Sequence, residues 1–233
     1  MPEQDPRLDP PWSMPTYAVR APLVRWLADE ARRAHQALGS YRLLDVGCGE
    51  KPYAPLFAPY VTEHVGVDTV ENPHAELRGA IEDLPVDDES FEVILCAQVL
   101  EHCDDSVAAA HELHRVTRRG GRVLASTHGA MVYHPAPVDH WRWTHTGLER
   151  LFASVGDWTS VSVVPAAGTT ASLAMLVSIY LDHVLRRFPL RPLRRPVIAG
   201  LNRAAHALDA RAPVLREPLP GTLCANYHVL AVK

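Results

Sequence analysis

The chain is short of everything that builds a metal or disulfide framework. Its 233 residues include four cysteines, Cys48, Cys96, Cys103 and Cys224, with no Cys-x-x-Cys pair among them. Neither a zinc site nor a disulfide scaffold is therefore indicated, and a reducing cytoplasm fits best. Charge of one sign is not in excess either. Lys and Arg number 23 against 27 Asp and Glu, a net of −4, so no global field favours nucleic acid. Long apolar runs are missing: Leu173 to Leu181 is apolar apart from Ser178, far short of the ~20 residues that span a bilayer. The N-terminal stretch from Met1 to Pro15 is acidic and proline-rich, without the apolar centre of a signal peptide. No internal repeat is visible. At this length the chain is one domain, or one domain with an appendage.

What is present begins with Leu43-Leu44-Asp45-Val46-Gly47-Cys48-Gly49. An apolar strand runs into an acidic residue and a Gly-x-Gly turn, which lets the backbone approach a ligand closely. Before a helix, such a turn opens a nucleotide-sized crevice at the strand's carboxyl end. A dinucleotide fingerprint needs a third glycine three residues on; Pro52 stands there, after Glu50 and Lys51. A carboxylate such as Glu50 also does nothing for a diphosphate on a helix N-terminus. The turn suits a ligand without phosphate, so S-adenosylmethionine is favoured over NAD.

The remaining motifs follow in order. Val65-Gly66-Val67-Asp68 reads as a second strand, with its acidic residue roughly 20 residues past the first glycine, where ribose hydroxyls are bound. Glu82-Asp83-Leu84-Pro85 leads through a turn to a fourth strand ending near Leu95. Val99-Leu100-Glu101-His102 and Arg118-Arg119-Gly120-Gly121-Arg122-Val123-Leu124 come next. With these motifs in this order, the chain resembles the class I S-adenosylmethionine-dependent methyltransferases, on their small-molecule and glycan-modifying branch. The resemblance covers residues 41 to 165 and a terminal strand at 223 to 232.

The resemblance implies an α/β fold: a Rossmann-like three-layer sandwich with a mostly parallel seven-stranded sheet and a helical insertion before the last strand. Helix–strand alternation points the same way. One domain is expected, with an arm and helix over 1–40, a cofactor core over 41–169, a helical insertion or lid over 170–218 and a closing strand over 219–233. A helix is expected from Tyr17 to Leu38, stopped by Gly39, and a short third strand near Ala75 to Gly79. Another helix is expected from Ser106 to Arg118, with Asp105 as its N-cap and Gly120-Gly121 as its stop. The fifth strand should run from Arg122 to Thr127. Thr144 or Thr146 opens the next helix, Thr146 having Glu149 three residues later as a capping box. A strand at Thr159 to Val164 follows.

Carried onto this chain, the resemblance makes Asp45 the acidic residue that orients the methionine ammonium. Gly47, Cys48 and Gly49 form the backbone turn, and Asp68 is the ribose ligand. The family often has an acidic residue directly after the glycine at Gly79, where this chain has Ala80; adenine contact then falls to Ile81, Glu82 or Asp83. Ala97 and Gln98 lie where the family lines the methionine and methyl group. Glu101-His102 resembles a common family pair, its His at a helix start reading as structural.

Methyl transfer needs the acceptor held in line with the methyl carbon, and a hydroxyl acceptor gains from a general base. The loop His134-Pro135-Ala136-Pro137-Val138-Asp139-His140-Trp141-Arg142-Trp143 leaves the fifth strand at the crevice. His140, Asp139 and His134 are its base candidates. Arg142 and the two tryptophans suit a sugar or an anionic acceptor, or else brace the loop. No resident metal is expected: Asp104-Asp105 reads as a helix start, and His111 and His114 read as solvent-exposed.

Arg186, Arg187, Arg191, Arg194, Arg195, Arg203, Arg211 and Arg216 crowd one stretch against Asp209 alone. Beside the apolar run, this leaves three readings of 172–216: a membrane-surface contact, a lid or homodimer face, or a helical insertion packed on the sheet. The function expected is O-methylation of a small molecule or glycan. N- or C-methylation and a non-catalytic S-adenosylmethionine-binding or partner-binding protein are the alternatives. Nucleobase amines are disfavoured, because Cys96-Ala97-Gln98-Val99 replaces the Asn/Asp-Pro-Pro-Tyr signature, and no nucleic-acid partner is expected.

Overall fold

The computed structural model describes residues 5–135, 137–186 and 191–233. Arg187 and Ala136, both named above, lie outside them. Seven strands form one sheet: β1 (Tyr41–Val46), β2 (Val61–Asp68), β3 (Leu77–Arg78), β4 (Phe91–Ala97), β5 (Thr117–His128), β6 (Ser160–Pro165) and β7 (Asn226–Val232). Their order is β3-β2-β1-β4-β5-β7-β6. Every pairing is parallel except the two made by β7. The order reverses between β1 and β4, so a crevice opens at their carboxyl ends.

Leu43, Leu44, Ile94, Leu95 and Leu124 are completely buried, as expected of parallel strands covered on both faces. Each such side chain contributes on the order of 1.5–3 kcal/mol through burial. One face packs on α3 (Ser106–Val116) and α4 (His145–Ala153), around Leu113, Val116, Leu148 and Phe152. The other packs on α1 (Tyr17–Leu38) and the short α2 (Ala54–Phe57), through Leu23, Leu27, Ala31 and Phe57. In α1, Leu23, Leu27, Ala31 and Ala34 recur at helical spacing and are fully buried, the stripe that makes this segment a core-facing helix.

One boundary and one capping arrangement differ from the sequence expectation. Helix α3 ends at Val116, not Arg118, because Thr117 is already extended and its hydroxyl donates to the Leu113 carbonyl at 2.6 Å. Strand β5 accordingly begins before the two glycines, and Gly120 N–H donates to the Lys233 carbonyl at 2.7 Å. The second difference is the capping box at α4, which opens at Thr144, the first of its two expected N-caps. Its N-cap is Thr144, whose Oγ1 accepts from Gly147 N–H at 3.1 Å. Thr146 lies inside the helix, and Glu149 faces His145 at 3.4 Å rather than closing a capping box.

The described residues of 170–218 include two helices, α5 (Thr169–Leu185) and α6 (Arg194–Arg211), packed as a hairpin. Ala171 and Met175 pack against Ala18 and Val19 at the start of α1. Asn202 Nδ2 donates to the Trp12 and Met14 carbonyls at 2.8 and 3.0 Å, so the hairpin fixes the N-terminal arm. Leu173, Val177, Tyr180 and Val184 form an exposed stripe along α5. No described helix is long and apolar enough to cross a membrane.

Candidate active site

A cleft of about 720 Å³ lies over the carboxyl ends of β1, β2, β4 and β5. Its floor is the glycine turn. Gly47 has φ +65°, and a Cβ there would fall 2.5 Å from Val99 Cγ2. Glycine is needed for both the left-handed backbone and the close approach. The N–H groups of Gly47 and Cys48 donate to the Val67 carbonyl at 2.9 and 3.1 Å, tying the turn to β2.

At the end of β2, Asp68 Oδ2 accepts from Gly49 N–H at 3.2 Å and from Asn72 Nδ2 at 2.9 Å. Asn72 Nδ2 also donates to the Gly49 carbonyl at 2.7 Å. The carboxylate is thus held on the cleft wall beside the turn. Oδ1 receives only a long bond from Val70 N–H, 3.4 Å, and keeps acceptor capacity. Gly47, Gly49, Asp68, Ile81, Glu82 and Gln98 all line the cleft. Gln98 takes φ +62°, an uncommon conformation for a residue with a Cβ. Its amide is held by Ser126 Oγ at 2.7 Å and by Asn226 Nδ2 at 3.2 Å.

Four residues expected at the cofactor lie off the cleft wall. Asp45 is buried beneath the turn, its Oδ2 3.2 Å from His64 Nε2; burial pushes its pKa up while His64 opposes the shift. The Cys48 side chain turns inward against Gly66. Asp83 is exposed outside the cleft, and Ala97 ends β4 behind the wall formed by Gln98 and Val99. The cleft gains Arg7, Thr16, Val19 and Arg20 from the N-terminal arm and α1. Arg7 is anchored by Asp5 at 2.8 Å and Glu50 at 2.6 Å. An irregular arm carries no periodic signal from which that placement could be read.

The loop after β5 divides its candidates. His134 lines the cleft with Met131, Pro137 and Val138, whereas His140 and Asp139 do not. His140 instead faces Asp104 at 3.2 Å. Asp139, its side chain only 3 % exposed, is clamped by both terminal nitrogens of Arg142 and accepts from His134 N–H at 2.8 Å. That guanidinium holds the carboxyl well below the usual range, which makes Asp139 a weak proton acceptor. Trp141 Nε1 donates to the Cys103 carbonyl at 2.7 Å, and its ring stacks on Trp143. Arg142 and both indoles therefore brace the loop, and none of them lines the cleft.

Sequence reasoning left out a buried polar pair. Glu101 and His128 both line the cleft. Glu101 is fully buried, its Oε2 accepts from Thr127 Oγ1 at 2.8 Å, and its Oε1 has no hydrogen-bond partner. His128 Nδ1, also buried and unpartnered, lies 3.4 Å from that oxygen. Burial pushes the Glu101 carboxyl up to about 7. Burial, reinforced by Arg142, pushes the His128 imidazole down to about 3. His102 is tied to the Val138 carbonyl through Nδ1. Among the described residues, no group of three His, Cys, Asp or Glu side chains is placed to hold a metal ion. The signal that could have found the pair was Glu101 after β4 with a histidine at the end of the adjacent β5.

A mostly parallel seven-stranded sheet, a glycine turn after β1 and an acidic residue ending β2 define a Rossmann-like nucleoside-binding fold of the methyltransferase class. The family described as methyltransferase domain matches residues 44–125. Over that stretch the chain is similar to the class I S-adenosylmethionine-dependent methyltransferases, a family whose cofactor is S-adenosylmethionine. It is similar to the uncharacterized methyltransferase YcgJ of Bacillus subtilis, at 35% identity over 115 residues, 42% of this chain and 43% of that protein. A ubiquinone biosynthesis O-methyltransferase of Pseudomonas syringae pv. tomato is 28% identical over 128 residues, 48% of this chain and 53% of its own. The chain thus spans about half the length of the curated relatives it matches. The crystal structure of YcgJ superimposes over 90% of this chain and 98% of its own, with TM-score 0.53 and 20% identity. That of the [4+2]-cyclase SpnF covers 96% and 97%, with TM-score 0.53 and 14% identity. At such identities the likeness is one of fold.

Proposed function

We propose that the protein transfers a methyl group from S-adenosylmethionine to a hydroxyl of a small molecule or glycan. The observation that carries this reading is the continuity of one cleft, from the Gly47–Gly49 turn and Asp68 to the histidines at the end of β5. Asp68 Oδ1 would take the ribose hydroxyls, the turn would lie under the methionine portion, and Ile81 would flank the adenine with Glu82. Asp45, one layer below, would act on the ammonium by its charge rather than by contact. Gln98, locked by Ser126 and Asn226, would shape the wall beside the methyl group. When bound, the cofactor supplies an electrophilic methyl group on a sulfonium. The protein's task is then to hold the acceptor oxygen in line and exclude water. The braced loop, the arm bearing Arg7 and the first turn of α1 bearing Arg20 close the rim and support that role. The four free thiols support a reducing, cytoplasmic setting.

The test combines calorimetry with mass spectrometry. The full chain should bind S-adenosylhomocysteine and not NAD. With isotope-labelled S-adenosylmethionine it should place the label on candidate acceptors as a methyl ether. Binding of NAD without S-adenosylhomocysteine would overturn the reading. Label on nitrogen or carbon would replace O-methylation by one of its alternatives.

A further inference from the structure

The buried pair at the acceptor end of the cleft is not explained by folding. A carboxyl oxygen and an imidazole nitrogen, each buried and each without a hydrogen-bond partner, lie 3.4 Å apart. An arrangement that leaves both groups unsatisfied costs stability. Perturbed titratable groups held together in a cleft are where functional sites concentrate. With Nδ1 turned inward to Glu101, the ring edge that His128 leaves for the cleft carries Nε2.

We propose that His128 is the general base for the acceptor hydroxyl and that Glu101 is its positioning residue. The inference rests on the reading of the cleft as a methyl-transfer site. In the step, the acceptor O–H proton passes to His128 Nε2 while the oxygen forms its bond to the methyl carbon. The carbon–sulfur pair stays on sulfur, leaving a neutral thioether. His128 becomes imidazolium, and its Nδ1–H then faces the Glu101 carboxylate, which offsets the new charge. The proton leaves later to solvent.

The surroundings are consistent with this role. Burial, then Arg142 and the His134 and His102 rings, oppose protonation of His128 while Asp139 favours it; the imidazole therefore rests neutral, and it becomes basic enough to take a proton only where Glu101 is ionised beside Nδ1, which is what makes Glu101 part of the step. Thr127 Oγ1 occupies Glu101 Oε2 and leaves Oε1 to the imidazole. The Glu101 carbonyl accepts from the His140 and Trp141 N–H groups at 3.0 and 3.1 Å, so the braced loop fixes this residue's backbone. A carboxylate acceptor carries no proton for His128 to take, so the substrate class is a neutral hydroxyl and not a carboxylate.

The experiment is histidine ¹⁵N NMR on the full chain saturated with S-adenosylhomocysteine, with His128 assigned by the resonance lost in His128→Asn. The expected result is a neutral ring protonated on Nδ1 from pH 5 to 9. Its Nδ1–H shift should move as Glu101 ionises, and that movement should vanish in Glu101→Gln. A ring that gains charge with an ordinary histidine midpoint, a proton on Nε2, or an identical profile in Glu101→Gln would each overturn the pairing. In the turnover assay the labelled product should resist mild alkali as an ether does; a base-labile methyl ester would overturn the substrate class. Failure of the wild type to bind S-adenosylhomocysteine would sink the parent reading instead, and the two failures are therefore distinguishable.

Discussion

The carboxylate of Asp209, at the end of α6, caps the start of α5: its Oδ2 accepts from Ala171 N–H at 3.0 Å and its Oδ1 from Thr170 N–H at 3.0 Å. The residue at the N-cap position is Gly168, which has no side chain to serve. The cap therefore comes from the other helix of the hairpin. A helix N-terminus left without acceptors, with Asp209 only 1 % exposed, is costly. Asp209→Ala should lower unfolding free energy by on the order of 1–3 kcal/mol. Chemical denaturation would measure it, and an unchanged midpoint would show that the cap is dispensable.

Asp68→Ala should weaken S-adenosylhomocysteine binding by roughly 10- to 100-fold, the range for losing hydrogen bonds to a charged acceptor. Thermal unfolding should move little, since Asn72 and Gly49 are near the surface. Calorimetry that returned the wild-type constant would remove Asp68 from the ribose.

Gly47→Ala brings two separate penalties. The left-handed backbone costs about 1–2 kcal/mol for a residue with a Cβ, and the new methyl group meets Val99 Cγ2. The double variant Gly47→Ala, Val99→Ala should recover the steric part of the lost cofactor affinity and leave the backbone part. Full recovery would mean the turn carries no conformational demand.

Glu101 makes stability pH-dependent in an unusual direction. Its folded pKa of about 7 lies above the unfolded value, so the folded state holds the proton more tightly. Its contribution is favourable at low pH and is lost as pH rises from about 4.5 through 7. Glu101→Gln should therefore be more stable than wild type at pH 8, by on the order of 3 kcal/mol, with the difference shrinking toward pH 4. Urea unfolding at several pH values would show it. A variant less stable at pH 8 would place the ionised carboxylate in a favourable environment.

Asp139 has the opposite sign. Arg142 depresses its pKa, so its contribution is present above the unfolded carboxylate value and is lost as pH falls. Asp139→Asn should unfold more easily than wild type near neutrality and lose that deficit in acid. Turnover should fall with the loop's order, while cofactor affinity should stay near wild type. A proton acceptor at this position would instead remove a pKa from the rate profile.

The amino-acid order determined the sheet and the glycine turn and acidic strand end that line one half of the cleft. The short stretches at 43–46, apolar apart from Asp45, and at 65–67 and 93–95 read as strands from their length and flanking turns, and Gly47 and Asp68 carry conformational and chemical demands visible residue by residue. Those signals are local, because φ, strand period and turn chemistry act over a few neighbours. The acceptor half was not legible in that way. His140, His134 and Asp139 lie in one loop and look equivalent in sequence, yet packing turns His134 to the cleft, His140 to Asp104 and Asp139 to Arg142. Glu101 and His128 are separated by 27 positions and belong to different motifs. They meet only because β4 and β5 pair in register, Ala97 beside Ser126, with the two residues at the neighbouring strand ends. Burial, pKa and the choice of partner arise from that long-range pairing, so only the tertiary structure could decide them.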